Sequence, residues 1–139
     1  MNGSMSVLFL LGILVVAVGL IVVILLTRRT PKGLDKAKYQ EDWLRIENGL
    51  TDDTNSQHMS ILNADKLLDR ALKERAFSGQ TMGERMTSAS REFTKRDATW
   101  GAHKLRNQIA HEENVRINFA LTRRVLQSYK QSLKDLGAL

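Results

Sequence analysis

The chain has 139 residues, no cysteine, three histidines and a formal net charge of +6 from 21 basic and 15 acidic side chains. This length suits one domain with appendages. The lack of cysteine excludes disulfides and thiolate metal sites, and so few histidines leave little material for any other metal centre. Every basic residue lies after position 27, so the positive charge belongs to the later part of the chain. There it is compatible with attraction to RNA or anionic lipid without forming one basic run.

Residues 1–6 carry no charged side chain, and residues 7–26 contain no polar group at all. As a helix the apolar run is about 30 Å long, the thickness of a bilayer core. A cleaved signal peptide would need a basic start, a shorter apolar run and a small-residue cleavage site, none of which is present. Arg28, Arg29 and Lys32 follow in a linker over 27–34. They form a stop-transfer signal that predicts a single-pass protein of the cell inner membrane, N-terminus outside and C-terminal domain cytoplasmic. The same cations, with Lys36 and Lys38, suit contact with anionic headgroups. Gly12 and Gly19 share a helix face, which either lets two such helices approach closely or reflects ordinary glycine usage in membrane helices.

The soluble part is expected over 35–139. Tyr39, Trp43, Ile46 and Leu50 recur at helical spacing, and Glu41, Asp42 and Glu47 on the other face favour docking on the body over lying on anionic lipid. After a turn-rich break at 49–55, a helix over 56–77 carries the stripe Ile61, Asp65, Leu68, Leu72. Asp65 intrudes on an apolar face and needs a cationic or donor partner, and Asp69 lies one turn on. Thr81 and Glu84 form a capping-box pattern opening a third helix with Met82, Met86, Ala89 and Phe93 inward. Asp97 is expected to cap the next helix. Asn114 breaks the chain again, and Phe119, Leu126, Tyr129, Leu133 and Leu136 stripe a final helix ended by Gly137. No stretch alternates as a strand would. The fold class is therefore all-α, an N-terminal transmembrane helix followed by a bundle of about four or five helices. No Gly-rich phosphate loop and no G-x-S-x-G turn is present, which leaves nucleotide-triphosphatase and serine-hydrolase chemistry without their usual motifs.

The helix before Asn114 holds the most informative residues. Leu105, Ala98, Ile109 and Ala102 make an apolar arc, and Arg106, Ala110, His103, Asn107 and His111 run beside it. Such polar groups are not buried unless something answers them. One reading is an ion pair of Arg106 with Asp65 or Asp69, with His111 completing a hydrogen-bonded network. Another is phosphate chemistry, with Arg106 holding a phosphate, His111 as general acid or base and Asn107 orienting it. His103, His111 and Glu112 make a poor metal cluster, because the two histidines lie about 80° apart around the helix, and neither a metal nor a cofactor is expected. Trp100 either stacks on a base or packs in the core. His58, at a helix start, is expected to be solvated.

Arg106-Asn107-Gln108-Ile109-Ala110-His111 resembles the signature of the HEPN superfamily, small all-α bundles whose arginine and histidine lie near the start of the last long helix. The resemblance covers about 56–139. The whole chain also looks like a set of small bacterial single-pass membrane-anchored proteins of unknown function, with Ala64 to Asp69, Thr81 to Met86 and Arg106 to His111 as shared words. The HEPN resemblance implies metal-independent RNA cleavage at a two-fold dimer, with Arg106 and His111 catalytic, or RNA or nucleotide binding. Apart from the resemblance, Trp100 and His103 on the polar arc are further candidates for contacting RNA. Members of its toxin branch carry a tyrosine two positions after the histidine, where this chain has Glu113. Two functions follow as expectations: a membrane-tethered interaction or scaffold module in which Arg106, Asn107 and His111 join Asp65 and Asp69 in a structural network, or an RNA-cleaving or RNA-binding domain. A homodimer through the bundle is expected in either case.

Overall fold

The computed structural model describes residues 3–27 and 33–139. The basic triplet Arg28, Arg29 and Lys32 therefore lies outside the described residues. The chain divides into two units, 1–30 and 31–139.

The first unit contains α1, Gly3–Thr27, a helix without a charged side chain. Its apolar side chains from Val7 to Ile24 are exposed all round, and a helix apolar on every face needs an apolar surrounding. Gly3–Ile24 is long and apolar enough to cross a membrane.

The second unit is an all-helical body. Asp35 caps α2, Lys36–Gly49, by accepting from the Lys38 amide. Asp53 caps α3, Thr54–Glu74, through the Ser56 amide, and α3 ends at a left-handed Ala76 with φ 60°. The Thr81–Glu84 capping box opens α4. That helix, Met82–Ser88, is shorter than the periodicity suggests, and Ala89 and Phe93 reach the core from the turns that follow it. In place of the expected Asp97, Lys95 stands at the N-cap of α5, Arg96–His111, without a side-chain cap. Asp97 falls in the first turn, where a carboxylate still favours the helix dipole. Asn114 is left-handed at φ 63°, and Asn118 caps α6, Phe119–Asp135, through the Leu121 amide.

α3 is the central element, packed against α2, α4, α5 and α6. Its stripe of Ile61, Ala64, Leu68, Ala71 and Leu72 is fully covered. Tyr39, Trp43 and Ile46 bury α2 on the body, and Val125, Leu126, Tyr129 and Leu133 bury α6. Full burial of an aliphatic or aromatic side chain contributes about 1.5 to 3 kcal/mol. α5 sits differently from its apolar arc: Thr99 and Ala102 are its buried residues, Leu105 and Ile109 are half-buried and Ala98 is exposed. A buried hydroxyl contact between Thr99 and Ser132 of α6, 2.7 Å long, and the polar contacts below fix that rotation.

Candidate functional site

Asp65 is the hub. Its position on the buried stripe of α3 leaves it only 3% exposed, so its charge must be answered inside the protein. Tyr129 of α6 donates its hydroxyl to Asp65 Oδ1 at 2.9 Å, and His103 of α5 sets Nδ1 2.8 Å from the same oxygen. Arg106 Nε lies 3.1 Å from Asp65 Oδ2, an ion-pair distance without the alignment of a hydrogen bond. The loop closes through α5 itself. Arg106 Nη1 donates to Asn107 Oδ1 at 2.9 Å, and Asn107 Nδ2 stands 3.3 Å from His103 Nε2.

Donor counting fixes the polarity of this loop. Arginine has only donors, so it faces the amide oxygen of Asn107, and the amide nitrogen is left to face His103. Nε2 of His103 is then an acceptor, and Nδ1 carries the proton given to Asp65. Burial, and then the charge of Asp65, push the Tyr129 hydroxyl well above the ordinary tyrosine range, which keeps it a neutral donor.

One turn along α3, Asp69 makes a separate centre. Arg85 of α4 brings Nε and Nη2 to Asp69 Oδ1 at 2.8 and 2.6 Å, and Lys73 Nζ lies 2.6 Å from Oδ2. The remaining nitrogen, Nη1, donates to the carbonyls of Gly79 and Gln80 at 2.8 and 3.1 Å. Arg85 is buried, so this fork ties the loop before α4 to α3. Burial opposes the charge on Asp69, yet the hydrogen bonds and charges of Lys73 and Arg85 outweigh it and hold the carboxyl below its ordinary range. Gly79 is required beside this fork, because at φ +148° a Cβ there would stand 2.6 Å from the Arg85 amide nitrogen.

Asp65, Asp69, Arg85, His103, Arg106 and Asn107 all border one cleft of about 510 Å3 between α3, α4 and α5. His111 is elsewhere: it is exposed at the end of α5 and makes no hydrogen bond or ion pair among the described residues. Glu112 and Glu113 beside it are also exposed. Helix geometry explains the exchange of histidines. His103 and Arg106 lie about 60° apart around α5, so one carboxylate on a neighbouring helix reaches both, whereas Arg106 and His111 lie about 140° apart. Thus Arg106, Asn107 and Asp65 come together, His103 takes the place expected of His111, and Asp69 belongs to Arg85.

Trp100 is half-buried and meets His103 edge-on, with ring centroids 6.2 Å apart. His58, expected to be solvated, is half-buried, and its Nε2 lies 3.1 Å from the Val115 carbonyl in the segment after α5. No group of three or more His, Cys, Asp or Glu residues able to hold a metal occurs among the described residues. No family model, curated protein or solved structure matches the chain.

Proposed function

We propose that this protein is a membrane-anchored helical interaction module, with α1 in the bilayer, the body on the cytoplasmic side and the Asp65 network as structural reinforcement. The observation that carries this reading is the saturation of Asp65: a carboxylate 3% exposed has both oxygens occupied by Tyr129, His103 and Arg106. Arg106 Nε and Nη1 and the Asn107 amide are engaged in the same closed loop, so a phosphate would meet only the remaining donors of Arg106. The histidine that the R-N-x-x-x-H pattern would assign to catalysis stands in water, apart from that loop. The basic residues after α1 support the cytoplasmic placement. Confinement to a bilayer raises the effective concentration of one copy for another, which supports self-association through the body.

A second reading, binding or metal-independent cleavage of RNA, draws support from the position of His103, Arg106 and Asn107 on the wall of an open cleft. One experiment separates the two. The full chain in lipid nanodiscs is compared with Arg106→Ala and His111→Ala for melting temperature and for cleavage of mixed-sequence single-stranded RNA. The module reading expects no cleavage by any of the three, a clear loss of melting temperature in Arg106→Ala and none in His111→Ala. RNA cleavage by the parent, lost in both variants while they remain folded, overturns it.

A further inference from the structure

The α5–α6 face carries a second feature that the Asp65 network does not use. Lys95, Arg124, Lys130 and Lys134 line an open groove of about 490 Å3 with Gln127 and Gln131, and no acidic residue borders it. Lys130 is answered by Glu47 at 2.7 Å. Lys95, Arg124 and Lys134 are exposed and have no acidic partner among the described residues. The single acid of α6, Asp135, is engaged by the Thr94 amide and hydroxyl and by Gln131, at 2.8, 2.9 and 2.9 Å. The single acid of α5, Asp97, lies on a different side of its helix from Lys95, about 200° round. Three cations therefore line one groove with no acidic partner among the described residues to neutralise them.

We infer that this groove docks the body onto anionic lipid headgroups of the membrane that holds α1. The inference rests on the anchored, cytoplasmic reading proposed above. Three features favour a lipid surface over RNA. No aromatic side chain lines the groove, so bases have no stacking platform. Lysines supply most of its charge, and their compact ammonium groups suit a fluid array of headgroups that offers no fixed geometry. Finally, α1 ends at Thr27 and α2 begins at Lys36, and the linker residues between them span at most about 30 Å when extended. A body on such a short leash meets headgroups at high effective concentration. Each cation brought to an anionic surface multiplies the docked population about fivefold, so three together give roughly a hundredfold.

The test uses the full chain in nanodiscs of zwitterionic lipid, with or without an anionic fraction. Because the chain has no cysteine, Gln127→Cys places a single fluorophore in the groove, and Asn63→Cys places one in the separate groove between α2 and α3. A headgroup-attached quencher reports proximity. Strong quenching of the Gln127 label in anionic discs alone is expected, with the Asn63 label unaffected. The triple variant Lys95→Glu/Arg124→Glu/Lys134→Glu, whose side chains make no hydrogen bond or ion pair among the described residues, should abolish the lipid dependence, as should high salt. Equal quenching in both disc types, or no response to the triple variant, overturns the docking while leaving the anchor intact. RNA binding by the parent that the triple variant loses, with lipid-independent quenching, assigns the groove to RNA and overturns the lipid reading. A chain that an alkaline wash strips from vesicles overturns the anchor, and the docking with it.

Discussion

Replacing Asp65 by asparagine keeps the shape of the hub and removes its charge. Tyr129 and His103 would each exchange a bond to a carboxylate for one to a neutral amide, a loss of about 1 kcal/mol apiece. Arg106 would lose the one carboxylate that it meets among the described residues and face an amide group of no net charge. An uncompensated buried charge costs about 3 to 5 kcal/mol, but the Arg106 side chain is 26% exposed, and water reduces this to about 1 to 2 kcal/mol. The sum is about 3 to 4 kcal/mol. For a body of this size each kcal/mol lowers the melting temperature by about 4 °C, so a fall of about 12 to 16 °C is expected. Tryptophan fluorescence of the nanodisc-held chain at neutral pH measures it, since Trp43 and Trp100 both lie in the body. The double variant Asp65→Asn/Tyr129→Phe should be less destabilised than the sum of the singles by about 1 kcal/mol, because the two share one contact. A loss under about 1 kcal/mol for Asp65→Asn, or strict additivity in the cycle, would refute the reasoning.

Other outcomes follow from the same geometry. His111→Ala should change stability by less than about 0.5 kcal/mol in urea unfolding, because an exposed side chain without partners has little to lose. Gly79→Ala should cost at least about 2 kcal/mol by the same measurement, since the added methyl meets the Arg85 amide nitrogen at 2.6 Å and the backbone is at φ +148°. Asp69 is held below the ordinary carboxylate range, so its contribution is fully present above that range and disappears as the pH falls through its lowered value. Asp69→Asn should therefore flatten the acid limb of a stability profile. Burial raises Tyr39 from 10.0 to about 12, with a contact to Arg70 opposing, so its contribution is present below the ordinary tyrosine value and is lost as the pH climbs toward the raised one. Tyr39→Phe should remove that loss from the alkaline limb.

Most of the fold is legible in the residues. Twenty apolar positions before Thr27 read as α1, and the Tyr39-Trp43-Ile46 and Leu126-Tyr129-Leu133 spacings give the buried faces of α2 and α6. Boundaries move by a few residues where local chemistry intervenes: α3 stops at Glu74 because Ala76 turns left-handed, ahead of the Ser78-Gly79 signal. In the site, the demand of Asp65 for a partner can be read from a carboxylate on an apolar stripe. Which histidine supplies it cannot, since His103 and His111 both border the polar arc and the choice depends on how α5 is rotated against α3. That rotation is set by contacts far apart in sequence, Thr99 with Ser132 and Asp65 with Tyr129. The fork of Arg85 on Asp69 also escapes periodicity, although an arginine between Met82 and Met86 on an apolar turn is a signal that a buried acid awaits it. The groove of Lys95, Arg124 and Lys134 gives no linear signal, because its cations come from two helices.

The measurement closest to the heart of the account is nitrogen NMR of the histidine rings in the full chain at neutral pH. A closed Asp65–Arg106–Asn107–His103 loop predicts one fixed His103 tautomer, protonated at Nδ1 with a slowly exchanging proton and an unprotonated Nε2, which Asn107→Ala disturbs, while His111 exchanges freely with water. A His103 ring that averages between tautomers as His111 does, and ignores Asn107→Ala, would contradict it.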